Sequence, residues 1–144
     1  MSSSANVTKA KVVLGQRPQR VPLLVDVPLP DGTIASVTIQ YRYRTRTEYG
    51  EMLDRRMAEA RAADAAQADS EAGKQGVNPY SEAEHQQRVL GALAQHILDI
   101  ADGWDLDEPW GADAVRQFCD ELPAGALAVI DRYRQALVEG RRGN

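Results

Sequence analysis

Residues 21–46 read VPLLVDVPLPDGTIASVTIQYRYRTR, and the way this stretch alternates decides the fold. Its first half places Val21, Leu23, Val25, Val27 and Leu29 at odd positions, while Pro22, Asp26 and Pro28 take even ones; Leu24 is the exception. The second half repeats the pattern, with Val37, Ile39, Tyr41 and Tyr43 on one side and Ser36, Thr38, Gln40, Arg42, Arg44 and Arg46 on the other. Period-two alternation of this kind marks strands with one apolar face. Both apolar sets fall on the same face only if an odd number of residues joins the strands, and Pro30-Asp31-Gly32 meets that condition. The tripeptide suits a type I turn followed by glycine in a left-handed bulge position, which pairs Leu29 with Thr33, Val25 with Val37 and Leu23 with Ile39. Pro22 and Pro28 lack a backbone donor, so the first strand should have a free edge. A lone hairpin is marginally stable, so helices must cover its apolar face.

Outward from the hairpin, the N-terminal side is poor in information. Residues 1–10 are small and polar and read as a mobile tail. Val12, Val13 and Leu14 are the candidate for a third short strand. On the C-terminal side the period lengthens: Tyr49, Met52, Leu53, Met57 and Ala60 form a helical stripe, with Thr47 as its expected N-cap. The stripe fades into the alanine-rich segment 62–72. Lys74-Gln75-Gly76-Val77-Asn78-Pro79 then breaks the chain, so 69–80 reads as a mobile linker between the first long helix and the second. Ser81 and Glu84 form a capping-box signature for a helix running to about Asp102, whose apolar residues are Val89, Leu90, Leu93, Ile97, Ile100 and Ala101.

Gly103-Trp104-Asp105-Leu106-Asp107-Glu108-Pro109-Trp110 follows and holds both tryptophans. It reads as a corner, in which Gly103 stops the helix in a left-handed conformation and Trp104 folds back onto the last turn. Gly111 is the expected N-cap of the next helix, with Trp110 and Val115 as a hydrophobic staple. Val115, Phe118, Cys119 and Leu122 give that helix its apolar face. Pro123 separates it from a last helix carrying Leu127, Ile130, Tyr133 and Leu137, which Gly140 ends before the basic Arg141-Arg142. The fold class is α+β: an N-terminal antiparallel β-hairpin, with room for a third short strand, packed on about four α-helices. At 144 residues the chain is expected to form a single domain, 1–144.

A net charge of -4 gives nucleic acid no general attraction, and no apolar run approaches the roughly 20 residues that span a bilayer. The single cysteine cannot form an internal disulfide, and the N-terminus lacks signal-peptide character; both point to the cytoplasm. Asp99, Asp102, Asp105, Asp107 and Glu108 are the densest polar cluster, yet the glycine of Asp102-Gly103-Trp104-Asp105 is misplaced for a calcium loop. His85 and His96 have no neighbours at ligand spacing, and Cys119 lies on a core stripe. No catalytic constellation, metal site or cofactor is expected. Tyr41-Arg42-Tyr43-Arg44-Thr45-Arg46 interleaves aromatics with cations, as surfaces that stack single-stranded bases do. In a regular strand, however, the tyrosines and arginines would face opposite sides. A nucleic-acid-binding or regulatory role for the Arg42, Arg44 and Arg46 face is therefore the second reading, recognisable by binding that collapses with added salt.

Taken in chain order, these features resemble the small tail assembly chaperones of long-tailed bacteriophages and prophages. The resemblance rests on the hairpin around Leu29-Pro30-Asp31-Gly32, the Tyr41 to Arg46 run and the Ile100-Ala101-Asp102-Gly103-Trp104-Asp105-Leu106 helix end. It also includes the Trp110 to Pro123 helix and the closing Tyr133-Arg134-Gln135-Ala136-Leu137. It covers the chain from about Val21, is most specific at Gly103-Trp104-Asp105, and does not extend to 62–79. It implies a non-enzymatic protein of the host bacterial cytoplasm that binds helical segments of the tape-measure protein and keeps them soluble until tail-tube protein polymerises around them. Several copies side by side would build the groove, and no membrane or cofactor is involved. Trp104, Leu106 and Trp110 are the residues expected to organise the partner-binding surface.

The linker reading has its own test. Amide exchange across residues 68–79 should be the fastest of any internal segment, and strong protection of residues 73–78 would replace the linker with a packed element.

Overall fold

The computed structural model describes residues 10–69 and 80–140. The expected tail and almost all of the linker, along with Arg141 and Arg142, lie outside the described residues. Within them the order is β1 (Arg20–Pro28), β2 (Ile34–Arg42), α1 (Arg46–Ala68), α2 (Glu82–Ile100), β3 (Ala101–Trp104), α3 (Ala112–Glu121) and α4 (Pro123–Tyr133). A wider turn over Arg134–Val138, closed by the Glu139 N–H on the Arg134 carbonyl, extends α4. The strands form one antiparallel sheet in the order β1-β2-β3.

The parity argument holds at every position it named. Val25 faces Val37 and Leu23 faces Ile39. The Leu29 N–H donates to the Thr33 carbonyl at 2.8 Å, the Gly32 N–H donates to the Leu29 carbonyl, and Gly32 has φ +90°. Asp31 accepts from both the Thr33 amide and its hydroxyl, which locks the turn and lowers the Asp31 carboxyl pKa. Because the odd residues of β1 bond to β2, the even ones point to an open edge, where two of five positions are proline. β1 is therefore an edge strand.

One sheet face is the core. Val25, Val27, Val37, Ile39 and Tyr41 are buried there against Leu90, Ala94, Ile97 and Ile100 of α2, Val115 and Phe118 of α3 and Ala126 and Val129 of α4. Tyr41 is fully buried, its hydroxyl donating to the Val129 carbonyl at 2.7 Å and its ring 5.3 Å from that of Tyr133. Burial raises the pKa of both tyrosines, so both stay protonated donors. Tyr133 in turn donates to the Arg42 carbonyl at 2.9 Å.

Several expectations are corrected. The third strand is Ala101–Trp104 on the far side of β2, whereas Val12–Leu14 leads into a turn at Gly15 with Val12 and Leu14 almost fully exposed. α2 does not stop at a left-handed Gly103: the helix ends at Ile100, Ala101 is already extended, and the chain passes straight into the sheet. The unpaired edge of β2 supplies what a glycine cap would have supplied, partners for the backbone. α1 is capped by Thr45, two residues before Thr47, with both halves of a capping box shared with Glu48. That cap ends β2 at Arg42 and takes Arg44 and Arg46 off the strand. Finally, the buried line of α4 runs through Gly125, Ala126, Val129 and Tyr133, continuing to Ala136, and leaves Leu127 exposed. Small residues win because α4 lies tight on the sheet: a Cβ on Gly125 would stand 2.7 Å from Val27 Cγ1 and 3.1 Å from Phe118 Cζ.

Two substitutions test this account. Gly32→Val places a β-branched residue in the left-handed region and should lower stability by about 1–2 kcal/mol in thermal unfolding. Gly125→Ala should cost about 1–3 kcal/mol despite the better helix propensity of alanine, because the helix must lift from β1. An unchanged melting midpoint in either variant would contradict the corresponding contact.

Candidate partner-binding site

The expected corner is built by the end of β3. Trp104 stands opposite Ile39 and Gly103 opposite Gln40, while Ala101 pairs with Tyr41, which leaves Asp102 as the extra residue of a β-bulge. Asp102 is thereby free to accept from Arg20 Nε at 2.6 Å. Asp105 prolongs the pairing: its N–H donates to the Thr38 carbonyl, and its carboxylate accepts from the Thr38 N–H at 2.9 Å. Beyond that point the chain leaves the sheet, and the Trp104 indole N–H closes the loop on the Glu108 carbonyl at 2.7 Å. Trp110 meets Trp104 edge to face at 4.9 Å, and Phe118 lies 5.7 Å from Trp104 on another side. Gly111 is the N-cap of α3, as expected, with no side-chain bond.

These residues enclose a surface cleft of about 230 Å³, lined by Trp104, Leu106, Ala114, Phe118 and Leu122 with Glu108, Gln117 and Glu121 at its rim. It accommodates a leucine- or phenylalanine-sized anchor and is too small to engulf a helix. The structure thus brings Trp104 and Leu106 together at one opening. Trp110 does not line it but supports Trp104 from behind. Phe118 and Leu122, which their spacing places only on the apolar face of this helix, form the second wall with Ala114.

The arginine stripe is not assembled. Arg42 is exposed at the end of β2, Arg44 bonds the Tyr133 hydroxyl at 3.2 Å, and Arg46 bonds the Val138 carbonyl at 3.0 Å from the first turn of α1. Tyr43 is half-buried, with the Arg17 guanidinium 5.9 Å above its ring.

Among the described residues no three His, Cys, Asp or Glu side chains are grouped to hold a metal ion. His96 is half-buried, and desolvation with the nearby Arg56 lowers its pKa, so it is neutral at pH 7. Burial pushes the Cys119 thiol up to about 11, which removes its nucleophilic form. Asp99 is held by Arg56 at 2.8 Å, a pair that also joins α1 to α2 through the Ala92 carbonyl. No helix among the described residues is long and apolar enough to cross a membrane.

The family model described as phage tail assembly chaperone matches residues 7–144, which includes both the segment before Val21 and the alanine-rich stretch outside the resemblance read from sequence. No curated protein and no solved structure gives a significant match. Members of the matched family are not enzymes. With the match running over nearly its whole length, the chain belongs to the phage tail assembly chaperone family.

Proposed function

We propose that this chaperone acts in the host bacterial cytoplasm by binding helical segments of the tape-measure protein through the Trp104–Leu106 cleft. It holds them soluble until tail-tube protein polymerises around them. The observation that carries the reading is the cleft itself, an aromatic-floored opening beside an exposed loop in a fold with no catalytic groups among its described residues. A single anchor site of this size suits one apolar side chain of an amphipathic helix, so a long partner would engage several copies placed side by side along it. Trp104 and Phe118 are rigid walls whose desolvation on docking favours binding at little entropic cost.

Leu106→Ala removes a half-buried wall of the cleft without emptying the sheet core. The variant should keep its fold and lose about 2 kcal/mol of affinity for the tape-measure protein, roughly thirtyfold in Kd. Trp110→Ala should instead lower the melting midpoint, because it withdraws the edge-on support of Trp104. Co-expression decides the wider claim. A tape-measure protein equally soluble with and without this chain, and no complex by size-exclusion chromatography, would end it.

A further inference from the structure

The cleft carries a charge pattern that narrows what can dock in it. Between Asp102 and Glu121 the sequence holds seven carboxylates and one arginine, six net negative charges where the whole chain has four. The rest of the molecule is therefore net positive, and its acidity is concentrated at this corner. Asp102 is neutralised by Arg20. The other six, Asp105, Asp107, Glu108, Asp113, Asp120 and Glu121, are all exposed and make no ion pair among the described residues. Arg116 does not serve them, because its guanidinium bonds the carbonyl and side chain of Gln87. Glu108 and Glu121 stand at the rim of the apolar opening itself, and Asp105 and Asp107 flank Leu106 in the loop.

An apolar opening lined by two exposed carboxylates, Glu108 and Glu121, neither of them in an ion pair among the described residues, is complementary to one kind of surface: an apolar anchor flanked by cations. We infer that the occupant of the cleft is an amphipathic helix whose anchoring leucine or aromatic residue is bordered by lysine or arginine one turn away on either side. This rests on the partner-binding reading of the cleft and adds the charge of the partner to it. The spacing is physically natural, because residues three and four apart on a helix lie on one face. The long aliphatic stems of lysine and arginine can then lie along the apolar walls while their charged ends reach Glu108 and Glu121. The same field repels acidic helices and raises the encounter rate of basic ones. Several mutually repelling carboxylates left unpaired at one corner destabilise the free protein slightly and are relieved only by a cationic partner.

Three helical peptides of about 18 residues test this, sharing one leucine-based apolar stripe and differing only in flanks of lysine, glutamine or glutamate. Both tryptophans of the chain stand at the corner, so its intrinsic fluorescence reports occupancy directly. The lysine peptide should bind roughly tenfold or more tighter than the glutamate peptide at low salt, with the gap closing as the Debye length falls to about 3 Å at 1 M. The double variant Glu108→Gln/Glu121→Gln should lose most of the preference for the lysine peptide over the glutamate peptide, and an undiminished preference would overturn the charge selection. Equal binding of all three peptides would overturn the charge selection while leaving the cleft as a helix site. Binding of none would overturn both readings. Salt-sensitive self-association of the chain alone, with the same fluorescence change, would assign the cleft to a second copy and also overturn the inference.

Discussion

Strand β2 is hydrogen-bonded on both edges, and its core-facing residues Val37, Ile39 and Tyr41 are all buried. Everything else is placed relative to that strand. On one side the three-residue turn hands its register to β1; on the other its open edge draws Ala101–Trp104 out of what would otherwise be another turn of helix. A buried tyrosine needs a partner for its hydroxyl, and Tyr41 finds it in a carbonyl of α4, which ties the last helix to the middle strand. Tyr133 repeats the arrangement in reverse, reaching from α4 to the Arg42 carbonyl. These two reciprocal bonds fix where α4 crosses the sheet, and the close approach at Gly125 follows from that crossing.

The candidate site is a by-product of the same constraint. Since β3 must pair with β2 through Trp104, the chain leaves the sheet with an indole at its edge, and the loop 105–109 has to wrap back to begin α3. The indole N–H on the Glu108 carbonyl and the edge-on Trp110 make that return compact. What remains between loop and helix is an opening whose floor is aromatic and whose rim is acidic. A surface of that kind in a chaperone is economical, since one strand-to-helix connection supplies both the anchor pocket and the surrounding field.

Membership of the tail assembly chaperone family is consistent with how the remaining polar groups are spent. Arg20, Arg44, Arg46 and Arg56 each bond another part of the fold, which joins β1 to β3, the β2–α1 connection to α4, and α1 to both α2 and the end of the α4 extension. The cations thus hold elements together, whereas the carboxylates near the cleft stay exposed. That separation of roles gives the molecule one net-acidic region, while the charges of the remaining sequence nearly balance.

Much of the fold was legible from local pattern. The alternation of residues 21–43 and the odd-numbered loop determined the hairpin, its register and its buried face, because side-chain direction in a strand has a strict period of two. Helix existence followed equally from spacing, and Trp104 with Leu106 could be marked because large apolar residues in a polar loop need a reason to be there. What only tertiary structure decided was where local preference yields to a partner. Gly103 looked like a helix stop, yet the free edge of β2 offered a full set of hydrogen bonds and converted it to strand. Arg44 and Arg46 looked like a continuing strand face, but the Thr45–Glu48 box starts α1 at Arg46 and leaves Arg44 just before it, while α4 and its extension accept from their guanidinium groups. Leu127 outranked Ala126 in hydrophobicity and still faces water, since a helix pressed onto β1 has room only for small side chains. Phe118 and Leu122 belonged to a recognisable stripe, but whether a stripe residue fills the core or walls an opening depends on the loop packed beside it. Spacing along the chain cannot encode that distance.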